Sequence, residues 1–204
     1  MNRYLLLCFF VFCSFCSIKA NLIDSLFVHA PFEVLPNLSY SQRIELMELS
    51  KAGKSSFTKN ILGDTCRMEF YSPTYLRVKL SHVFTFEIKL IEEREKGAYF
   101  LVNETCCAPA CDSYLSIYDE KWKLKKMKNL TQRPKFSDFL KNKEAGEDSN
   151  LSFSPLFIRA DVSEKSDSII FHLDAEHTLC REEWKEWKDK LNLSISRPIG
   201  LKKK

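Results

Sequence analysis

His172, His177 and Cys180 place two imidazoles and a thiol in one short stretch, and Cys106, Cys107 and Cys111 lie upstream as further soft donors. Zinc takes imidazole and thiolate ligands in a tetrahedron, often from close sequence pairs, and His177/Cys180 at i, i+3 is such a pair. The set matches no familiar ligand spacing, however, and thiols outside the cytoplasm tend to oxidise. The expectation is therefore no metal and no cofactor, with His172 facing out of a strand spanning 170–173. A cysteine nucleophile would need a lowered pKa and an oriented base, for which His177 and His82 are the candidates. Nothing in the sequence sets either beside an unpaired thiol. No G-x-S-x-G elbow, H-E-x-x-H helix, phosphate loop or dinucleotide fingerprint occurs. The paired carboxylates Glu92-Glu93, Glu147-Asp148 and Glu182-Glu183 all sit in charged, solvent-like contexts. No catalytic residue is assigned.

Lys121, Trp122 and Lys123 form a second candidate, a ligand or partner contact. Lysine offers point-charge attraction, and tryptophan stacks on sugar rings or bases. The competing reading is a solvated edge strand with Trp122 packed inward and lysines that discourage further pairing. Trp184 and Trp187 likewise read as core rather than as a ligand platform.

The ends and composition bound where such residues work. Asn2-Arg3, the apolar run from Tyr4 to Cys16 and the cleavage-site sequence Ser17-Ile18-Lys19-Ala20 have the layout of a secretory signal, with cleavage expected after Ala20. The apolar run falls short of the ~20 residues that span a bilayer. Residues 21–204 then form a single domain whose 29 basic and 27 acidic residues, after loss of Arg3 and Lys19, give a net charge of +2. So weak a charge argues against nucleic acid as a dominant partner. No later segment is apolar and long enough to span a membrane. Of the eight cysteines, Cys8, Cys13 and Cys16 belong to the leader and five remain. Cys107 and Cys111 bracket a turn and are the first candidate disulfide; Cys66 with Cys180 is the second, leaving Cys106 over.

The elements that must position these residues are mostly strands. Leu76, Val78 and Leu80 alternate with Tyr75, Arg77 and Lys79, and Phe84, Phe86, Ile88 and Leu90 alternate with Thr85, Glu87 and Lys89. Period-two alternation predicts an antiparallel meander of five or six strands over 66–126, with one buried and one wet face. Ahead of it, residues 22–29 predict a short helix. Ser39 and Gln42 stand at capping-box spacing before a helix that Gly53 ends. A polar surface connection is expected near 126–154, with a helical turn at 136–140. Residues 156–160 and 169–173 then read as a hairpin, Glu182–Leu191 as a helix and 194–201 as a final strand. The fold class is α+β.

Taken together, Asp24–Phe27, Leu35–Leu38, the Arg43–Leu49 helix, the Tyr75–Leu80 and Phe86–Leu90 strands, Cys107-Ala108-Pro109-Ala110-Cys111-Asp112-Ser113 and Trp122 carry a resemblance. The chain resembles, over roughly residues 22–126, a domain-of-unknown-function family of small exported proteins from anaerobic Gram-negative bacteria. The resemblance implies export and a single domain, and it transfers no catalytic residue. Against it stand Asn37, Asn103, Asn129, Asn150 and Asn192, each heading an N-x-Ser/Thr sequon, which suit a eukaryotic secreted glycoprotein. The function expected is a non-catalytic exported binding or interaction module of the bacterial envelope. It would be periplasmic, outer-membrane-associated or secreted, with a protein or surface glycan as partner. The alternative is a hydrolase or a thiol- or zinc-dependent enzyme.

Overall fold

The meander forms as its alternation dictates. In the computed structural model, which describes residues 22–94, 97–142 and 155–199, six strands run antiparallel in sequence order. They are β1 (Phe57–Lys59), β2 (Thr65–Tyr71), β3 (Tyr75–Lys79), β4 (Phe84–Arg94), β5 (Gly97–Cys107) and β6 (Cys111–Asp119). Two helices precede them, α1 (Leu22–Val28) and α2 (Tyr40–Lys51). Ser39 accepts from the Gln42 backbone N–H, and the Gln42 side chain accepts from Ser39 N–H, closing the capping box. Beyond α2, Gly53 takes the left-handed φ of 64° that a helix exit favours.

A second antiparallel sheet of three strands follows: β7 (Ile158–Asp161), β8 (Ser168–Leu173) and β9 (Ser194–Pro198), in that order. Between the sheets lie the short helix α3 (Lys128–Thr131) and a 3-10 turn at Phe136–Phe139. Helices α4 (Ala175–Thr178) and α5 (Arg181–Trp187) link β8 to β9. Helix α5 is shorter than the expected 182–191 segment. The class is α+β, with helices at the N-terminus and a hairpin sheet at the C-terminus. The leader expected at 1–20, and residues 143–154 of the polar connection, lie outside the described residues.

Two apolar cores flank the large sheet. On one face, Leu76, Val78, Phe86, Ile88, Phe100 and Val102 pack with Ile23, Phe27, Leu46 and Met47 of the N-terminal helices. On the other, Leu101, Leu115 and Ile117 pack with Phe139, Ile158, Ile169, Phe171 and Trp187. The expectation of one wet face is thus corrected. Tyr75, Glu87, Lys89 and Asn103 stand on the polar face, and all four are buried beneath the small sheet.

The polar side chains under that sheet donate and accept against the chain that covers them, Asn103 Oδ1 alone among Tyr75, Glu87, Lys89 and Asn103 having no partner. Glu87 accepts from the Tyr75 hydroxyl and from Asn103 Nδ2, the latter at 2.6 Å. Asn103 Nδ2 also donates to the Ala160 carbonyl at 2.9 Å, and the Tyr75 hydroxyl reaches the Val162 carbonyl at 3.2 Å. Lys89 Nζ donates to the Ser163 carbonyl at 2.5 Å, to that of Glu164 at 3.3 Å, and to Ser166 as well. Lower on the sheet, Ala160 N–H donates to Ser113 Oγ at 2.9 Å and Ile158 N–H to Asp112 Oδ1 at 3.0 Å. A buried polar group unmatched in this way would cost more than its burial returns. These bonds therefore fix where β7 sits.

One further expectation fails locally. Residues 121–125 are not an edge strand: Trp122 has φ 58°, in a turn held by Lys121 and Lys123 N–H donating to Asp119 Oδ1 at 3.0 and 2.9 Å. Only the isolated bridge Tyr118↔Leu124 continues the ladder.

Candidate functional site

Where β8 ends and α4 begins, the chain leaves the small sheet and folds back over its end. This opens a groove of about 360 Å3 lined by Cys111, Arg159, His172, Leu173, Asp174, Ala175, Glu176, Trp184 and Leu193. The strand period sets the floor. Arg159 and His172 are direct register partners on β7 and β8, and Ile158, Phe171 and Leu173 turn the other way into the core. Trp184 forms a wall because α5 buries Trp187 and leaves Trp184 partly exposed. Asp174 caps α4, accepting from His177 N–H at 3.3 Å and meeting His177 Nδ1 at 2.8 Å. That contact holds the His177 imidazole above its ordinary range, first through the hydrogen bond and then through the charge of Asp174.

His172 joins three strands. Its Nδ1 lies 2.7 Å from Ser194 Oγ on β9, and its Nε2 lies 2.8 Å from Asp161 Oδ2 on β7. Arg159 Nε holds the other oxygen of Asp161 at 3.0 Å. His172 does face out of its strand. His172, His177 and Cys180 do not form a ligand set: among the described residues no group of three or more His, Cys, Asp or Glu side chains is placed to hold a metal.

The cysteines divide by environment. Cys107 and Cys111 are bonded across the β5–β6 turn, S–S 1.97 Å, and Cys111 reaches the groove. The Cys66–Cys180 pairing is corrected, for both are free thiols. Cys66 is buried in the N-terminal core, where its Sγ donates to the Leu80 carbonyl at 2.9 Å, whereas Cys180 is exposed ahead of α5. Burial pushes the Cys66 thiol up to about 11. Cys106 is free and exposed, on the residue next to the disulfide.

The second candidate contact separates into parts. Trp122 turns inward against Tyr118, ring centroids 5.2 Å apart, and packs on the N-terminal core, while Lys121 and Lys123 stay exposed. Lys121 instead lines a shallow pocket with Tyr99, Asp119, Glu120 and Lys125. Sequence reasoning reached His172 as a metal candidate and Trp184 as core, but missed Arg159, Asp161 and Ser194. Arg159 and Ser194 lay on strands already expected, at 156–160 and 194–201, while Asp161 fell one residue past the first of these.

The chain belongs to the family described as Protein of unknown function (DUF3256), whose model matches residues 15–202. No curated protein matches it. It is similar to the solved structure of a domain of an uncharacterized protein from Porphyromonas gingivalis W83, with a TM-score of 0.72 and 19% sequence identity. That likeness covers 89% of this chain and 95% of that one. At such identity it shows the fold alone.

Proposed function

We propose that this member of a family without assigned activity is an exported binding module of the bacterial envelope. Its ligand is a neutral, polyhydroxylated one, such as a surface glycan, seated in the groove beside Trp184. The observation that carries this reading is the groove's mixed lining: one indole wall, the cation Arg159, the acids Asp174 and Glu176, and the imidazole of His172. A ligand of one charge sign would meet attraction and repulsion together. A neutral polyol uses donors and acceptors of both kinds, and the C–H face of a sugar ring packs on an aromatic ring. Export is supported by the leader-like sequence at 1–20 and by the Cys107–Cys111 bond, which suits an oxidising compartment.

The test is an array of neutral oligosaccharides probed with the purified chain and with Trp184→Ala. The expected result is retention of a neutral glycan that weakens by about tenfold or more in the variant, as loss of a central aromatic contact does. An array with no bound glycan, or binding indifferent to Trp184→Ala, overturns the reading.

A further inference from the structure

Ser194, His172 and Asp161 form a hydrogen-bonded row across the outer face of the small sheet, and of the three only His172 also lines the groove. The register explains the contacts. Leu173 N–H donates to the Leu193 carbonyl at 2.9 Å, so the neighbouring pair His172↔Ser194 is a non-hydrogen-bonded pair, the kind whose side chains approach more closely. Ser194 Oγ accordingly sits 2.7 Å from His172 Nδ1. Asp161 reaches His172 Nε2 from the diagonal position on β7 at 2.8 Å, with Arg159 holding its second oxygen at 3.0 Å. A carboxylate accepts only, so Nε2 carries the imidazole proton and Nδ1 turns its lone pair to the Ser194 hydroxyl. That is the tautomer a general base needs beside a nucleophile.

We propose that Ser194 is a nucleophile toward carboxylic esters, with His172 as its general base and Asp161 as the residue that positions His172. The site stands at the rim of the groove, since His172 and Leu193, the residues across from and before Ser194, both line it. The ester carbonyl bonds to Ser194 Oγ as the hydroxyl proton passes to His172 Nδ1. The ester C–O bond then breaks, and the alcohol leaves with that proton. Water repeats the sequence on the acyl-serine, its proton going to His172 and then to Ser194, and the carboxylic acid departs. The Arg159 guanidinium, cross-strand from His172, grips both oxygens of Asp161, Nε at 3.0 Å and Nη2 at 3.1 Å, and so holds the carboxylate against His172.

The test is an alkyl fluorophosphonate added to the full chain, with the adduct located by mass spectrometry, alongside hydrolysis of p-nitrophenyl acetate. A single adduct on Ser194 is expected, absent from Ser194→Ala and slowed by about a hundredfold or more in His172→Ala. Ser196→Ala, on the same strand and also exposed, should label like the parent chain and so controls for folding. Asp161→Asn should lower kcat with KM unchanged and Asp161→Glu should restore part of it, a pattern that a merely structural role would not give. Failure of the parent chain to label, or equal labelling of Ser194→Ala, overturns the proposal. Trp184→Ala should still label, so loss of glycan binding and loss of acylation are separate results.

Discussion

Glu87 and Asn103 are register partners on β4 and β5, and Asn103 Nδ2 donates to Glu87 Oε2 at 2.6 Å. Burial raises the Glu87 carboxyl above its ordinary value of 4.5, against the opposing pull of the Tyr75 hydrogen bond, the Arg77 charge and the Asn103 hydrogen bond. The raised value means that Glu87 favours the folded state fully below its unfolded pKa. That contribution is lost as pH rises through the folded value. Glu87→Gln should therefore gain stability relative to the parent chain as pH rises from 4 to 8, measured as the urea midpoint. A gain that shrinks with pH would show that Arg77 governs the site instead. Glu87→Ala should be destabilising throughout, by about 1–3 kcal/mol for each buried donor it strands.

Lys89 joins the large sheet to the β7–β8 turn through three carbonyl contacts. Lys89→Met keeps the stem and removes the charge, at a cost of about 1.5–3 kcal/mol for hydrogen bonds to a charged group. Hydrogen exchange should quicken over 163–168 and leave α1 and α2 unchanged. Uniform quickening across the chain would mean that the contact is not local.

Phe100 and Leu101 are consecutive on β5 and point into opposite cores. Phe100→Ala should cost about 3–5 kcal/mol and Leu101→Ala about 2–5 kcal/mol. Because one strand serves both cores, each variant should shift the same single unfolding transition. Two separated transitions would divide the chain into two folding units.

The three free thiols among the described residues should differ sharply toward iodoacetamide. Cys106 and Cys180 are exposed, whereas Cys66 is buried with its pKa pushed up to about 11. Thiolate is the reactive form, so Cys106 and Cys180 should alkylate on the native chain and Cys66 only on unfolding, read peptide by peptide by mass spectrometry. Rapid alkylation of Cys66 in the native chain would contradict its place in the core.

What the sequence disclosed was local. The Ser39/Gln42 capping box needs only three residues' separation, and the β3 and β4 alternation needs only neighbours, so both were legible. The cover over Glu87 and Lys89 was not. Its contacts come from β7 and the turn after it, separated from Asn103 and Lys89 by 57 to 77 residues. Alternation says which side chains share a face, but not what arrives on it. Strand parity placed His172 outward for the same local reason. Asp161 and Ser194 became its partners only through the registers of two different ladders. Helical spacing pairs Trp184 with Trp187 as core, and Trp184 does pack against that core while staying partly exposed. The observed helix stops at Trp187, and only Trp187 is fully buried.

Asn103 is fully buried and heads one of the sequons. In a eukaryotic secretory pathway, oligosaccharyl transfer would meet that asparagine on the nascent chain, before the small sheet has closed over it. A glycan there would wedge the two sheets apart and replace the amide that Glu87 and Ala160 both use. Production from yeast or mammalian secretion should thus yield aggregated or retained material, which Asn103→Gln or Thr105→Val cannot fully rescue because each disturbs a hydrogen bond. Expression in a host that lacks that transferase should instead yield the folded chain.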